Sequence, residues 1–243
     1  MDIKNRLGLI ESTETMMAHS QRLNQTSNNL ANVNTDGYKK EETTFWEMLY
    51  QNSGDQPRVG KAPRVLTNYD QGSLKQTENQ LDFAINGEGF FKVMTENGPR
   101  YTRAGRFLVN NQGQLATPKG DIVLGEGGPI NIAGQDISVA EDGTISEDGV
   151  ITGRLAIVRF GDPDNLEKDG RNLFRPAGED NNEIAVNRLS VKQGYLESSN
   201  VNTVKEMTDL IDLQQAYATQ QKAIRSFDEI DEIAVSRIGR LQG

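Results

Sequence analysis

The chain has 243 residues, with 26 Lys and Arg against 35 Asp and Glu, which gives a formal net charge of −9. This balance excludes the clustered basic surface that binding to nucleic-acid phosphates requires, so no nucleic-acid partner is expected. The sequence has no cysteine and one histidine, and therefore predicts no disulfide, no thiolate metal site and no cofactor.

The first thirty-odd residues predict a helix with an apolar side chain at every seventh position: Leu9, Met16, Leu23 and Leu30. A period of seven is typical of a helix that packs along another helix. The intervening seam positions are polar: Ser12, His19 and Thr26. This helix is therefore not expected to be stable alone, and Gly37 after Asp36 is expected to stop it.

Amide side chains dominate the end of the first helix. Asn24, Asn28 and Asn32 share one face at spacings of four residues. Amides are poor formers of exposed helix, so a row of them suits an interior where subunits exchange hydrogen bonds. The alternative interpretation is a frayed and solvated helix end.

The middle of the chain changes to a strand-and-turn pattern. Residues 38–69 contain Pro57 and Pro63 and predict an extended linker. From 70 to 195, short β-type runs alternate with turn dipeptides such as Asn86-Gly87, Asp142-Gly143 and Asp148-Gly149. These features predict a β-rich domain over residues 70–195.

The end of the chain predicts a second long helix, because no proline occurs from residue 200 to 241. Its apolar stripe consists of Leu210, Leu213, Tyr217, Ile224 and Phe227. The predicted fold class is therefore α+β, with the long N- and C-terminal helices pairing as a coiled-coil-like helical domain and a β-rich domain inserted between them. In this scheme residues 1–37 and 200–243 form one discontinuous helical domain.

No segment carries a convincing catalytic pattern. Gly87-Glu88-Gly89 lacks the third glycine and following helix of a phosphate-binding loop, so it predicts a turn. No Gly-x-Ser-x-Gly elbow holds a nucleophile, and pairs of acidic residues arise by chance among 35 of them. We therefore expect no catalytic, cofactor-binding or metal site.

Three segments carry a family resemblance: Ser27 to Lys39, Leu81 to Phe91 continuing at Tyr101 to Phe107, and Gly194 to Asn202. They resemble, in order, the N-terminal signature, central β motif and C-terminal helix opening of flagellar rod and hook proteins. Together they span nearly the whole chain. Within that family, the length and the stretch from Gly153 to Phe160 are more similar to proximal than to distal rod proteins.

The resemblance implies a structural subunit of the flagellar basal-body rod that polymerises helically with copies of itself and with other axial proteins. It further implies a hollow shaft that transmits torque, with the terminal helices inside and the β domains outside. Export would proceed through the flagellar type III apparatus without a cleaved signal peptide, and no membrane insertion is expected. The expected subunit-assembly residues are Asn24, Asn28, Asn29, Leu30, Asn32, Leu210, Leu213, Tyr217, Ile224 and Phe227.

Other functions remain open from the sequence. A distal rod or hook-type axial subunit would share the same three motifs. A secreted β-domain binding module would explain the glycine-rich centre but not the two terminal stripes. A carboxylate hydrolase would need a wide pocket and a carboxyl group with a raised pKa, neither of which is visible in the sequence.

Overall fold

The computed structural model describes residues 3–50, 58–134, 136–178, 183–186 and 190–240. The helices are α1 (Ile3–Ala31) and α2 (Thr203–Arg240), and a short 3-10 helix spans Pro163–Asn165. The strands are β1 (Glu41–Tyr50), β2 (Arg58–Thr67), β3 (Leu74–Gln76), β4 (Phe83–Ile85), β5 (Phe90–Thr95), β6 (Gly98–Thr102), β7 (Leu108–Val109), β8 (Leu115–Ala116), β9 (Ile122–Gly125), β10 (Gly128–Pro129), β11 (Ile137–Val139), β12 (Thr144–Glu147), β13 (Val150–Arg154), β14 (Ile157–Phe160), β15 (Leu166–Lys168), β16 (Phe174–Pro176), β17 (Glu183–Ala185), β18 (Val191–Gln193) and β19 (Tyr195–Glu197).

The chain folds as two compact units. The helical unit contains α1, the paired strands β1 and β2 up to Leu66, and the chain from Asn202 onward. The β unit contains residues 32–40 and 67–201. Each unit is therefore discontinuous in sequence, because the chain crosses from one unit to the other four times.

The ends of the helices follow from local hydrogen bonding. The side-chain oxygen of Asn202 accepts the backbone N–H of Lys205 at 3.1 Å, so Asn202 caps α2, which begins at the next residue. In contrast, α1 ends at Ala31, well before Gly37. Beyond it, β1 and β2 pair with each other in the region where the sequence analysis expected an extended connection.

The predicted coiled-coil-like helical domain is wrong. The two helices do contact each other, but the unit that contains them also holds the pair of strands β1 and β2. Among the described side chains of α1, the buried ones are polar: Gln25, Thr26 and Asn29. The heptad positions Met16, Leu23 and Leu30 are only half-buried. A coiled coil needs a continuous apolar seam, and here buried polar groups occupy its place.

The β unit is built on an antiparallel main sheet. Within the described residues its strand order is β15-β16-β6-β5-β9-β8-β7, with β10 beside β9 and with β14 joining β17 to β5. A separate meander, β11-β12-β13, and two short pairs, β18-β4 and β19-β3, complete the unit. Hairpin connections between neighbouring strands account for the many glycine turns that the sequence contains.

The core of the β unit lies on both faces of β5. Phe91 and Val93 point into the larger apolar cluster together with Phe83 and Leu115. Phe90 points the other way, into a smaller aromatic cluster. Successive side chains of a strand face opposite sides of a sheet, so a strand with apolar residues on both faces is buried from both sides.

Among the described residues, no helix is both long and apolar enough to cross a membrane. The same part of the chain contains no group of three or more His, Asp or Glu side chains arranged to hold a metal ion.

Candidate functional site

Three motif-bearing segments of the sequence meet at one place in the β unit. These are residues 32–40, residues 101–107 and residues 194–201. The backbone N–H of Gly37 donates to the carbonyl oxygen of Glu197 at 2.6 Å. The N–H of Lys40 donates to the side-chain oxygen of Asn200 at 2.7 Å. Residues 32–40, where the chain first enters the β unit, and residues 194–201, where it finally leaves, are therefore hydrogen-bonded to each other.

A buried ionic cluster, the charged clamp, joins the three segments through Lys39, Arg103 and Glu197. Lys39 Nζ lies 2.6 Å from Glu197 Oε1, and Arg103 Nη1 lies 3.3 Å from Glu197 Oε2. The exposed fractions are 0% for Lys39, 1% for Glu197 and 5% for Arg103. Charged residues are almost never buried this completely without a partner. One carboxylate thus links two cations from distant parts of the sequence.

Backbone groups give Lys39 and Glu197 of the charged clamp further hydrogen bonds. Lys39 Nζ also donates to the carbonyl oxygen of Asp70 at 2.7 Å. Glu197 Oε1 accepts a second hydrogen bond from the N–H of Gly72 at 3.0 Å. These additional bonds matter because a buried ion pair offsets its loss of hydration only when the remaining donors and acceptors are satisfied.

The electrostatics of the charged clamp are those of a structural site. Burial lowers the pKa of the Lys39 ammonium, and the neighbouring Glu197 carboxylate counteracts this effect. Burial likewise lowers the pKa of the Arg103 guanidinium, and Glu197 again opposes the change. In each case desolvation is the largest cause, so removal of the carboxylate would leave two buried cations uncompensated.

Gly37 allows the first segment to approach the second. Its φ is +67°, in the left-handed region that favours glycine. A Cβ at this position would lie 2.4 Å from the backbone carbon of Arg103 and from the backbone nitrogen of Ala104. The glycine is therefore needed for its backbone conformation and for the close contact with the Arg103 segment, and it does not terminate a helix.

The residues beside Gly37 fasten the same segment to the sheet. The ammonium of Lys168 lies 4.2 Å from the centre of the Tyr38 ring and donates to the carbonyl oxygen of Lys39 at 2.7 Å. The side-chain amide of Asn172 donates to the carbonyl oxygen of Asp36 at 2.8 Å. Both partners come from the β15–β16 hairpin and its turn, so this hairpin holds the entering segment in place.

In the helical unit, the side chain of Asn29 forms two hydrogen bonds with the backbone of Glu41, the first residue of β1, as a neighbouring strand would. Its amide nitrogen donates to the carbonyl oxygen of Glu41 at 2.9 Å, and its oxygen accepts the N–H of Glu41 at 3.0 Å. The same nitrogen lies 3.4 Å from the carboxylate of Glu206 on α2. One side chain therefore connects α1, β1 and α2.

The structure divides the predicted assembly residues into two groups. Asn29 and Leu213 are buried within the chain. The others are exposed or half-buried: Asn24, Asn28 and Phe227 are exposed, and Leu30, Asn32, Leu210, Tyr217 and Ile224 are half-buried. Asn32 accepts hydrogen bonds from Thr35 and so stabilises the turn after α1. An assembly role can depend on the exposed and half-buried residues of this set, because their side chains are accessible to a neighbouring subunit.

The charged clamp was not predicted from the sequence. Lys39 was noted only as part of the N-terminal signature, and neither Arg103 nor Glu197 was singled out. Each of the three lies inside a motif, but Lys39 is followed closely by Glu41 and Glu42, so nothing in the sequence indicated that its partner is distant. Spacing within the sequence could not show that Lys39 and Glu197, 158 residues apart, are in contact.

A second ionic group surrounds Tyr101, the first residue of the central segment. The Tyr101 hydroxyl donates to Glu183, whose carboxylate lies 2.8 Å from Lys92 Nζ. Burial and the bond to Glu183 raise the pKa of Tyr101. Burial tends to raise the pKa of Glu183, but hydrogen bonds from Lys92 and Tyr101 outweigh it, so the net change is a decrease from 4.5.

This decrease predicts a pH dependence. A carboxyl group whose pKa is lowered by folding contributes stability above its unfolded value, and the contribution is lost as the pH falls through the lowered value. Glu183→Gln should therefore be less stable than the wild type at neutral pH, and the difference should shrink as the pH falls below 4.5. Urea unfolding at a series of pH values measures this. A difference that stays constant down to acid pH would contradict the assignment.

Three family models match the chain, and each matched range contains one residue of the charged clamp. The model described as "Flagella basal body rod protein" matches residues 12–39, which end at Lys39. The model described as "Flagellar hook protein FlgE/F/G D1 domain" matches residues 84–153, which contain Arg103. The model described as "Flagellar basal body rod FlgEFG protein C-terminal" matches residues 192–237, which contain Glu197.

Comparison with known proteins extends the match over most of the chain. The flagellar basal-body rod protein FlgF of Caulobacter vibrioides is 35% identical over 238 residues, which cover 93% of this chain and 95% of the relative. The chain belongs to the flagellar rod and hook protein family. FlgG of Bacillus subtilis is 34% identical, covering 86% of this chain and 90% of the relative. FlgF of Rhizobium meliloti is 31% identical, covering 96% and 98%.

Membership of the flagellar rod and hook protein family confirms several predictions. The predicted likeness to proximal rod proteins, represented by FlgF, and next to FlgG is confirmed. The chain is a structural subunit of the basal-body rod and not an enzyme. It assembles with other rod and flagellar components. The alternatives of a binding module or a carboxylate hydrolase are thereby excluded.

Proposed function

We propose that this rod subunit polymerises helically, with copies of itself and with related axial proteins, into a hollow shaft that transmits torque. The observation that supports this most strongly is the charged clamp. It ties together the two segments that continue into α1 and α2, and it fastens both to the sheet of the β unit. A force applied through either helix would therefore be resisted by the buried ion pairs of the charged clamp.

The geometry of the charged clamp suits this mechanical role. Its three side chains come from positions 39, 103 and 197, and they are almost completely buried. Separation of either ion pair would expose an uncompensated charge in a low-dielectric interior, which costs about 3–5 kcal/mol. The two segments consequently resist being pulled apart, so we expect the β unit to keep its fold under load.

In the proposed assembly, the terminal helices line the axial core and residues 70–195 form the outer domain. The accessible members of the predicted assembly set then meet neighbouring subunits. Several apolar side chains on α2 support this proposal because they are exposed in the single chain: Val204, Met207, Ile211, Phe227 and Ile230. Val204, Met207 and Ile211 share one face of α2 at spacings of three and four residues, and such an exposed apolar group favours contact with another protein.

The proposal includes export by the flagellar type III apparatus and assembly without membrane insertion. The absence of cysteine supports it, because such a chain can pass between reducing and oxidising compartments without forming disulfides. The polar burial of α1 supports it as well. Within residues 13–31 of α1, where side chains are described, the buried ones are Gln25, Thr26 and Asn29, so this part of the helix has little apolar area to keep it folded alone.

The accessible end of the α2 stripe offers a test of assembly. Phe227 is 38% exposed in the single chain. Phe227→Asp should leave the melting temperature of the purified protein nearly unchanged but prevent incorporation into the rod. Loss of the buried ring costs about 1.5–3 kcal/mol at each interface, and the new charge adds a desolvation penalty. Immunoblotting of purified basal bodies and swimming in soft agar measure the effect.

Ser226→Asp is the matched control, because it adds the same charge one residue away at an exposed position. It should assemble and swim almost normally. Leu213→Asp would be a poor choice, since Leu213 is buried within the chain and the substitution would destabilise the subunit itself. Normal rods with Phe227→Asp would remove α2 from the proposed interface. Failure to find the wild-type chain in basal bodies would overturn the proposed function.

A further inference from the structure

The strand β13 forms an open edge of the β unit. It is the outer strand of the meander β11-β12-β13, and among the described residues it pairs only with β12. A Cβ at Gly149 or at Gly153 would have nothing within 4 Å. At Arg154 the edge closes, because the carbonyl oxygen of this residue accepts the N–H of Glu126 at 3.0 Å. The open part of the edge therefore runs from the turn to Gly153.

Both faces of this edge carry exposed apolar side chains. Val150 and Ile151 are 70% and 72% exposed. Because successive side chains of a strand face opposite sides of a sheet, Val150 lies on one face and Ile151 on the other. With Thr152 they form a run of three β-branched residues, the type that favours extended backbone. A strand added at this edge would therefore cover an apolar side chain on each face.

The backbone of Ile151 is directed away from the meander. Glu147 and Val150 oppose each other across the two-residue turn, and Ser146 opposes Ile151. Opposed residues in an antiparallel pair alternate between those that exchange hydrogen bonds and those that do not, and the pair next to a two-residue turn is of the first kind. The N–H and C=O of Ile151 therefore point outward. The bulge that follows keeps the free edge short.

The sequence of β13 does not protect this edge. Natural sheets guard an exposed edge with a lysine or proline in the strand, or with a segment that covers it. β13 contains neither residue type, and its apolar side chains are exposed to solvent. An open edge of this kind can accept an extended segment of another protein, which adds to the sheet as a further strand.

The surroundings of the edge are acidic. Residues 136–154 contain one basic residue, Arg154, and five acidic residues: Asp136, Glu141, Asp142, Glu147 and Asp148. At one end of the edge, Arg154 already has two acidic partners, since its guanidinium lies 3.4 Å from Glu126 and 3.8 Å from Asp142. At the other end, the N–H of Asp148 donates to the carbonyl oxygen of Asp136 at 3.0 Å, and both residues are exposed. This distribution of charge favours a basic partner.

We propose that β13 is a docking edge for a short, extended and basic segment of another protein. The segment adds as a strand beside Val150–Gly153, exchanges backbone hydrogen bonds with Ile151, and places its lysines or arginines near the acidic residues at the two ends. A second copy of this chain does not fit, because it brings the same acidic surface and a net charge of −9. The docking edge lies within the β unit and does not depend on the proposed polymerisation.

Binding of a labelled synthetic peptide to the full-length protein tests the chemistry of the docking edge. The peptide has two lysines at each end and alternating valine and threonine between them, and fluorescence anisotropy measures its binding. The affinity should fall as salt is added, and glutamates in place of the lysines should weaken it about tenfold or more. A form that is N-methylated on the backbone nitrogens facing the edge keeps its charge but cannot add as a strand, so it should also bind about tenfold more weakly. Equal binding of the N-methylated form, or no binding at millimolar peptide, would overturn the proposal.

A substitution in β13 tests the location. Ile151→Lys places a cation at the centre of the docking edge and should weaken binding of the lysine peptide about tenfold. Val109→Lys is the matched control, because Val109 is 37% exposed on β7, at an edge of the main sheet, and should leave binding nearly unchanged. Both positions are exposed, so both variants should keep the wild-type melting temperature. If the two variants bind the peptide alike, the proposed docking edge is wrong, while the rod function, which these measurements do not address, stands.

Discussion

Replacing Glu197 with leucine should destabilise the β unit more than any other single change of charge among the described residues. The substitution leaves Lys39 and Arg103 buried without their carboxylate partner. Removal of one member of a buried ion pair costs about 3–5 kcal/mol, which corresponds to a fall in melting temperature of roughly 10 °C for a domain of this size. Calorimetry of the purified chain measures the fall, and the same variant should not support swimming.

Glu167→Leu is the matched control. Glu167 pairs with Arg175 at 2.7 Å on adjacent strands, but both side chains are about half exposed. Exposed pairs contribute at most about 1 kcal/mol, so this variant should melt close to the wild type. Glu197→Gln should lie between the two, because it keeps an oxygen acceptor while removing the charge. If Glu197→Leu and Glu167→Leu melt alike, the charged clamp does not stabilise the β unit.

Gly37→Ala should lower the stability of the β unit about as much as Glu197→Leu does, but for a different reason. The added methyl group would lie 2.4 Å from the backbone of the Arg103 segment, which cannot move without disturbing the sheet. The left-handed conformation adds about 1–2 kcal/mol for a residue other than glycine. Together these effects should exceed about 3 kcal/mol and loosen the entering segment. Urea unfolding gives the change in free energy, and limited proteolysis shows whether the chain near residue 37 becomes accessible.

Substitutions at two other glycines distinguish the cost of the left-handed conformation from the cost of the close contact with the Arg103 segment. Gly149 has a φ of +83° with nothing within 4 Å of a Cβ, so Gly149→Ala should show the conformational cost alone. Gly127 has neither a positive φ nor a close neighbour, so Gly127→Ala should be neutral. An effect of Gly37→Ala no larger than that of Gly149→Ala would mean that close packing against Arg103 does not matter.

The sequence predicts the two helices and the strand-rich centre because these depend on local patterns. Turn glycines and alternating apolar residues mark the strands, and the long stretch without proline marks α2. The resemblance of three segments to flagellar rod proteins was equally visible. What the sequence could not provide was the contact between these segments, because a charged residue in a motif carries no information about its partner elsewhere in the chain.

The wrong prediction of a coiled-coil-like domain has a specific cause. The heptad of Met16, Leu23 and Leu30 suggested the packing face of α1, yet Gln25 and Asn29 are the more deeply buried side chains. Their burial depends on hydrogen bonds such as those between Asn29 and the backbone of Glu41, the first residue of β1. The period of apolar residues cannot reveal that face, since polar groups are buried wherever a partner from another element satisfies them.

The clamp between positions 39 and 197 also sets the order in which the molecule can fold. These residues are separated by 158 positions, so the contact closes a loop that contains nearly the entire β unit. Contacts of such long range form late and make folding slower, because the entropy of the intervening chain must be lost first. A chain that emerges gradually from a narrow passage has only one of the two segments available until most of its length is out. In the proposed export, the last steps of folding would therefore follow only after almost the whole chain has emerged.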